Sequence, residues 1–310
     1  MNNSSVDAQP VLDFQSEINF LILGIIGIVA GVTNVFILVV FVSSKRLLQS
    51  SSLLVALAVA HACNGFMQAG EYFNSSSNDF ILVTPLDCIK SMWPNLFIAT
   101  YQFLPLILAL AGLERLLAMA APIWYRVHCT HRRLWYVTLC SFAFALLCLI
   151  INALIAWSRS DTLIPGSCIP PTIVGVEFMV YGIHLPAVLS GVCATVCTAI
   201  GVHIGRKKLA KMPSSSKSEL DRVKRQIRLT KCLLLISGLD VVCVVIPNLV
   251  LLLYNTELIV FPLSQLVYFG MIYCSDSLWN VVAFFLFNQE FRKSAIRLLR
   301  CTKTRVGTTA

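Results

Sequence analysis

The sequence predicts an all-α membrane protein, a seven-transmembrane helix bundle, on three observations. Only 13% of the 310 residues are charged and 57% are hydrophobic, with a mean hydropathy of +0.79; a soluble chain carries about 25% charged residues. The apolar residues come in seven long blocks rather than at helix or strand periods. The basic residues fall on alternate connections between those blocks. This pattern excludes a water-soluble enzyme, a disordered chain and a fibrous repeat. The alternating ten-residue segments of a transmembrane β-barrel are missing.

Crossing a bilayer takes about 20 mostly apolar residues. Blocks near 18–42, 50–71, 91–113, 134–158, 176–205, 232–255 and 261–287 have that length, and the first, third and fourth contain no Asp, Glu, Lys or Arg. Lipid offers backbone groups no partner, so each block is expected to be a helix. Pro94, Pro105, Pro186 and Pro247 are expected to kink their helices.

Of the 24 Lys and Arg residues, all but Lys90 and Arg159 lie on the first, third and fifth connections or the C-terminal tail. Basic residues favour the cytoplasmic side, so the N-terminus is expected outside and the C-terminus inside, as in a multi-pass plasma-membrane protein. The chain then divides into an extracellular N-terminus (1–17), a helical domain (18–288) and a cytoplasmic tail (289–310). The formal charge of +9 becomes a property of the inner face, suited to anionic membrane lipid rather than to nucleic acid. No basic n-region precedes the first block, which is too long for a cleavable signal and is expected to be an uncleaved anchor. The polar segment Arg206–Lys231, with PSSSKS at 213–218, is expected to be a flexible inner loop whose basic ends, Arg206–Lys211 and Arg222–Lys231, extend helices five and six into the cytosol.

Asn2, Asn3 and Asn74 head Asn-x-Ser sequons on segments expected outside, which makes them glycosylation candidates. Ten of the twelve cysteines fall in spans or on the inner face. Only Cys88 and Cys168 face an oxidising compartment, so a single disulfide pairing is open to them. Cys301, in the basic tail, is a palmitoylation candidate, with an ordinary exposed thiol as the alternative.

The third span ends in GLERLLAMAAPIWYR (Gly112–Arg126). This resembles the Asp/Glu-Arg-Tyr region of rhodopsin-like (class A) G-protein-coupled receptors, and most of all that of nematode chemosensory serpentine receptors of the Srsx type. Glu114 and Arg115 match the charged pair; Ala118, Pro122 and Tyr125 match the spacing that follows. Other landmarks fall in order. Asn34 in GVTNVFILVV resembles the first-helix asparagine, LLVALAVAHA the second-helix pattern, and Pro186 and Pro247 the prolines of helices five and six. SLWNVVAFFLFNQEFRK (Ser277–Lys293) resembles the end of helix seven and the short amphipathic eighth helix that follows it. His61 stands where most relatives have Asp, Leu116 replaces an aromatic, Val281 and Phe284 replace the Pro and Tyr of helix seven, and Val245 stands where a Trp is usual.

The resemblance implies that Arg115 switches between Glu114 and the C-terminus of a Gα subunit, with Pro122 and Tyr125 shaping the loop beside it. In many relatives an acidic residue on helix six also holds this arginine; here Ile227 occupies that place. Intramembrane ionisable residues point to function. His61 and Asp276 are expected to face one another, with Asn34 and Asn280 close by, so that the imidazole replaces the sodium ion of related receptors. Two independently solvated groups are the alternative. Asp240 has no nameable partner.

The resemblance places a ligand among helices three, five, six and seven, where Tyr101, Gln102, Tyr181, His184, Asn248 and Tyr268 are candidates; an aromatic packing between helices, or a polar group bonded to backbone, is the alternative for each. No carboxylate lies on the ligand-facing stretch of helix three, which favours a small, weakly polar molecule. The function expected is a chemosensory receptor that converts binding of an extracellular small molecule or peptide into activation of a heterotrimeric G protein. The alternatives are a seven-helix ligand-gated channel or transporter, or a non-coupling decoy. No catalytic or metal motif is found, no span holds a lysine for a Schiff base, and neither enzymatic activity nor a cofactor is expected.

Overall fold

The computed structural model describes residues 14–50, 52–78, 81–166, 168, 170–211, 217–260 and 263–306. Asn2 and Asn3 lie outside the described residues, as do the side chains of Asn74, Tyr268 and Cys301. Six helical stretches among the described residues are long and apolar enough to cross a membrane: Leu21–Val42, Ser52–Gly70, Met92–Ala120, His131–Ser158, Phe178–Lys211 and Val223–Asn255. The protein is an all-α, multi-pass membrane protein. The last apolar block is helical too, with Met271–Phe287 as its apolar part.

In chain order the elements are α1 (Phe14–Val42), α2 (Lys45–Ser50), α3 (Ser52–Asn78), β1 (Leu82–Val83), α4 (Pro85–Lys90), α5 (Met92–Ala120), α6 (Pro122–His128), α7 (His131–Ser158), β2 (Ile164–Pro165), α8 (Pro170–Val174), α9 (Leu185–Lys211), α10 (Lys217–Asp240), α11 (Ile246–Asn255), α12 (Leu263–Phe287) and α13 (Gln289–Val306). Two π-wound turns are continuous with the helices that follow them, Phe178–His184 before α9 and Val241–Val245 before α11.

Central α5 packs on α3, α7, α9 and α10, while α12 packs on α1 and α10. Small residues set the α1–α3 distance: a methyl group at Gly27 would lie 2.7 Å from the Gly65 carbonyl oxygen. Away from these contacts the helices stay apolar. On α7, Phe142, Leu147, Ile150 and Leu154 are all exposed, which suits a wall facing hydrocarbon. Phe41, Phe284 and Phe291 form a ring cluster with centroids 5.3–5.8 Å apart that fastens α13 to α1 and α12. Asn288 caps α13, its Oδ1 accepting from the Phe291 N–H at 3.0 Å.

The prolines act in three ways. Pro94 lies in the first turn of α5, where no intrahelical bond is lost, so the expected kink does not form there. Pro105 lies inside α5. Pro186 and Pro247 each follow a π-wound turn, which accommodates the missing N–H by rewinding the backbone ahead of the ring.

At the end of the bundle opposite α13, Cys88 and Cys168 form a disulfide with their Cα atoms 5.4 Å apart. The short antiparallel pair β1–β2 lies beside it, Val83 opposite Ile164. Thr84 and Asp87 cap α4 reciprocally. Hydrogen bonds from Lys90 and then Thr84 hold the exposed Asp87 carboxyl down at about 2.

Candidate functional site

Two clusters gather most of the polar residues that the sequence singles out. The first lies where α5 ends. Pro122 disfavours helical geometry in the residue before it, and Ala121 is accordingly non-helical (φ −127°, ψ 66°). Pro122 then occupies the first position of α6, where its missing N–H costs nothing. This stop and restart turn Tyr125 back over α5. Its hydroxyl donates to Glu114 Oε1 at 2.5 Å, and Arg115 Nη2 donates to the same oxygen at 2.5 Å. Both Glu114 and Arg115 are buried. Burial, and next the Glu114 charge, hold the Tyr125 phenol above its usual range, so it remains a donor at neutral pH.

The other face of the guanidinium reaches a neighbouring helix. Arg115 Nη1 donates to Gln226 Oε1 of α10 at 3.3 Å. Beside it, Lys208 of α9 donates to the Met119 carbonyl at 2.6 Å and so caps the end of α5. Sequence reasoning missed both residues. Gln226 adjoins the Ile227 position where a charged partner was sought, and a search for acidic residues passes over an amide.

The second cluster lies inside the bundle between α1, α3 and α12. His61 is 2% exposed and Asp276 4%, and His61 Nδ1 stands 3.7 Å from Asp276 Oδ2. A closer neighbour is Ser277 Oγ, 2.9 Å from the same nitrogen. Ser277 is the hub of the cluster: its carbonyl accepts from Asn34 Nδ2 at 2.7 Å, and its hydroxyl also contacts Asn64 Nδ2 at 3.4 Å. Asn280 Nδ2 reaches Asn34 Oδ1 at 3.5 Å. The structure thus brings Asn34, His61, Asp276 and Asn280 together through a serine that sequence reasoning did not name, although it lies one turn from Asn280 on the same face. Asp240 has Asp276 within electrostatic reach. Gly191 makes room for its carboxylate, since a methyl group there would lie 2.8 Å from Oδ2.

Four of the ligand candidates, Tyr101, Gln102, His184 and Asn248, are engaged with neighbouring side chains or backbone. The Tyr101 ring stacks on Phe97 and on Tyr273, at centroid distances of 4.0 and 4.6 Å. Gln102 donates to the Gly182 carbonyl, four residues before Pro186; in a regular helix that carbonyl would pair with the N–H that proline lacks. Asn248 donates to the Val244 carbonyl at 2.8 Å, which turns its Oδ1 towards His184 Nδ1 at 2.7 Å. His184 is therefore the donor, and the contact joins the π-wound turn Phe178–His184 to α11. Tyr181 is 70% exposed and belongs to none of these contacts.

Among the described residues, no group of three or more His, Cys, Asp or Glu side chains is placed to hold a metal ion. No protein-family model matches the chain, and a search of curated proteins gives no significant match.

Proposed function

We propose that the chain is a G-protein-coupled receptor of chemosensory type, with α12 as its seventh span, α13 as its eighth helix, its N-terminus outside and the α13 end in the cytoplasm. The observation that carries this reading is the Glu114–Arg115–Tyr125 cluster, with Arg115 also bonded to Gln226 of α10. An arginine shared by a carboxylate of its own helix and an amide of another can exchange partners at small cost. In the proposed mechanism, α10 moves away from α5, the Gln226 contact breaks, and Arg115 meets an inserted segment of the Gα subunit. A ligand drives this only by binding the open form more tightly. The mostly apolar upper bundle, with the aromatic stack around Tyr101, suits a small, weakly polar ligand.

The test is guanine-nucleotide exchange on a panel of Gα subunits, using membranes that hold the wild type or Arg115→Ala, with pooled small odorants and peptides. Exchange that requires the wild type and disappears in the variant is expected. Ligand-evoked current without exchange would replace the reading with a channel, and well-folded surface protein that never supports exchange would replace it with a decoy.

A further inference from the structure

A cavity of about 290 Å³ opens between α10 and the start of α13, and nothing in the receptor reading uses it. Its wall carries three cations of α10, Lys224, Arg225 and Arg228, against the carboxylates of Asp221 and Glu290. Arg225 and Glu290 neutralise each other, Nη2 to Oε2 at 2.9 Å. Arg228 donates to an amide oxygen, that of Gln289; with the Arg225–Glu290 pair set aside, the described residues of the wall hold two cations, Lys224 and Arg228, against the one carboxylate of Asp221. Lys224 and Arg228 are four residues apart on a helix and therefore share a face.

Asn288 lines the same cavity. It is only 4% exposed; Oδ1 is committed to the Phe291 N–H, while Nδ2 has no acceptor among the described residues. A buried amide donor left unpaired is costly, and it is an acceptor, not a donor or a cation, that would satisfy it. The cavity also adjoins the N-terminal end of an 18-residue helix, the end that favours anions.

We propose that this cavity binds a phosphate monoester, held by Lys224, Arg228 and the Asn288 amide. A monoester offers several acceptor oxygens to two cations and one N–H, and charge-assisted bonds of this kind are the strong ones. The cavity carries the ion pair and the amide contact that tie α10 to α13, so an occupant competes with Glu290 and Gln289 for the two arginines. The group arrives either on a membrane lipid headgroup or as free phosphate. Binding here does not depend on coupling to a G protein.

The experiment uses the full chain in phosphatidylcholine nanodiscs. One arm adds a phosphatidylinositol monophosphate, or phosphatidylserine at equal charge, and native mass spectrometry counts the retained lipid; the other titrates inorganic phosphate against the lipid-free arm by phosphorus NMR. Asn288→Asp keeps the cap oxygen for Phe291, so a purely structural asparagine would tolerate it, yet it sets a negative oxygen where the amide donor was. It is expected to cut monoester retention about tenfold, the worth of one charge-assisted hydrogen bond. Lys224→Ala/Arg228→Ala should cut it at least as far, and Glu290→Gln should raise it. Retention in the lipid arm alone identifies a headgroup site, and binding in the phosphate arm alone a free-phosphate site. Wild-type retention in Asn288→Asp would overturn the proposal. So would equal retention of phosphatidylserine, or an equal loss in the control Arg206→Ala/Lys207→Ala on α9.

Discussion

Arg115 Nη1 and Gln226 Oε1 stand 3.3 Å apart, joining the end of α5 to α10 without a charge on the α10 side. The guanidinium already makes this a charge-assisted bond, and a charge on the acceptor adds an ion-pair term of up to about 1 kcal/mol at a partly exposed site. Gln226→Glu should therefore hold α10 more firmly by up to about 1 kcal/mol, roughly a fivefold shift at most in a two-state population. Under the proposed function, basal nucleotide exchange falls by up to that factor in Gln226→Glu and rises in Gln226→Ala, with surface delivery unchanged in both. Equal basal exchange in all three proteins would remove Gln226 from the closed-state contacts.

Tyr125 gives the same cluster a pH signature. Its phenol lies above the ordinary value of about 10, because burial and then Glu114 disfavour the anion. A group raised on folding contributes stability that is complete below its unfolded value and is lost as pH climbs through the folded one. Tyr125→Phe should lower the thermal midpoint by an amount corresponding to about 1 kcal/mol. That gap should stay constant across neutral pH and narrow only above about 10. Thermal unfolding of both proteins in detergent across this range checks it; a gap that closes between pH 6 and 8 would contradict the protonated donor.

Six spans were legible in the sequence because lipid permits one backbone solution, and long apolar blocks report it directly. The stop at Pro122 went unread, although proline acts on its immediate neighbours and the sequence carries that signal. Ser277 and Gln226 were not legible. Each is a neutral polar residue whose role depends on which face of a helix meets another helix, and one unaligned sequence gives no interhelical rotation. For the ligand candidates one sequence leaves two roles open, contact with a ligand or bonding within the bundle. His184, Asn248 and Gln102 stood out as polar groups in apolar helices, yet they satisfy each other or carbonyls near the prolines.

His61 and Asp276 should behave as a pair. Their side chains are buried 3.7 Å apart, and leaving a buried polar group without its partner costs about 1–3 kcal/mol, more where the group is charged. His61→Asp alone sets two carboxylates together and Asp276→His alone two imidazoles, so each should lose thermal stability and surface delivery. The exchange His61→Asp/Asp276→His restores one group of each kind and should recover most of both. Ser277→Ala should cost less, about 1–3 kcal/mol for unpaired buried partners. If the double variant is as damaged as the worse single one, the two residues are independently solvated groups.

Gln102 and Pro186 should be coupled although they lie on different helices. Pro186 has no N–H to offer the Gly182 carbonyl, and Gln102 of α5 donates to that carbonyl instead. Gln102→Ala leaves a buried acceptor without its donor, at a cost of about 1–3 kcal/mol. Pro186→Ala supplies an N–H and removes the ring that forbids regular winding, so α9 can pair the Gly182 carbonyl within itself. In that background Gln102→Ala should cost much less, giving a double-mutant coupling of about 1 kcal/mol or more. Thermal midpoints of the four proteins measure it. Ligand binding by Gln102 predicts the opposite pattern: near-wild-type stability for Gln102→Ala in either background, and a loss confined to the response to ligand. The two roles therefore separate on a measurement that needs no ligand at all.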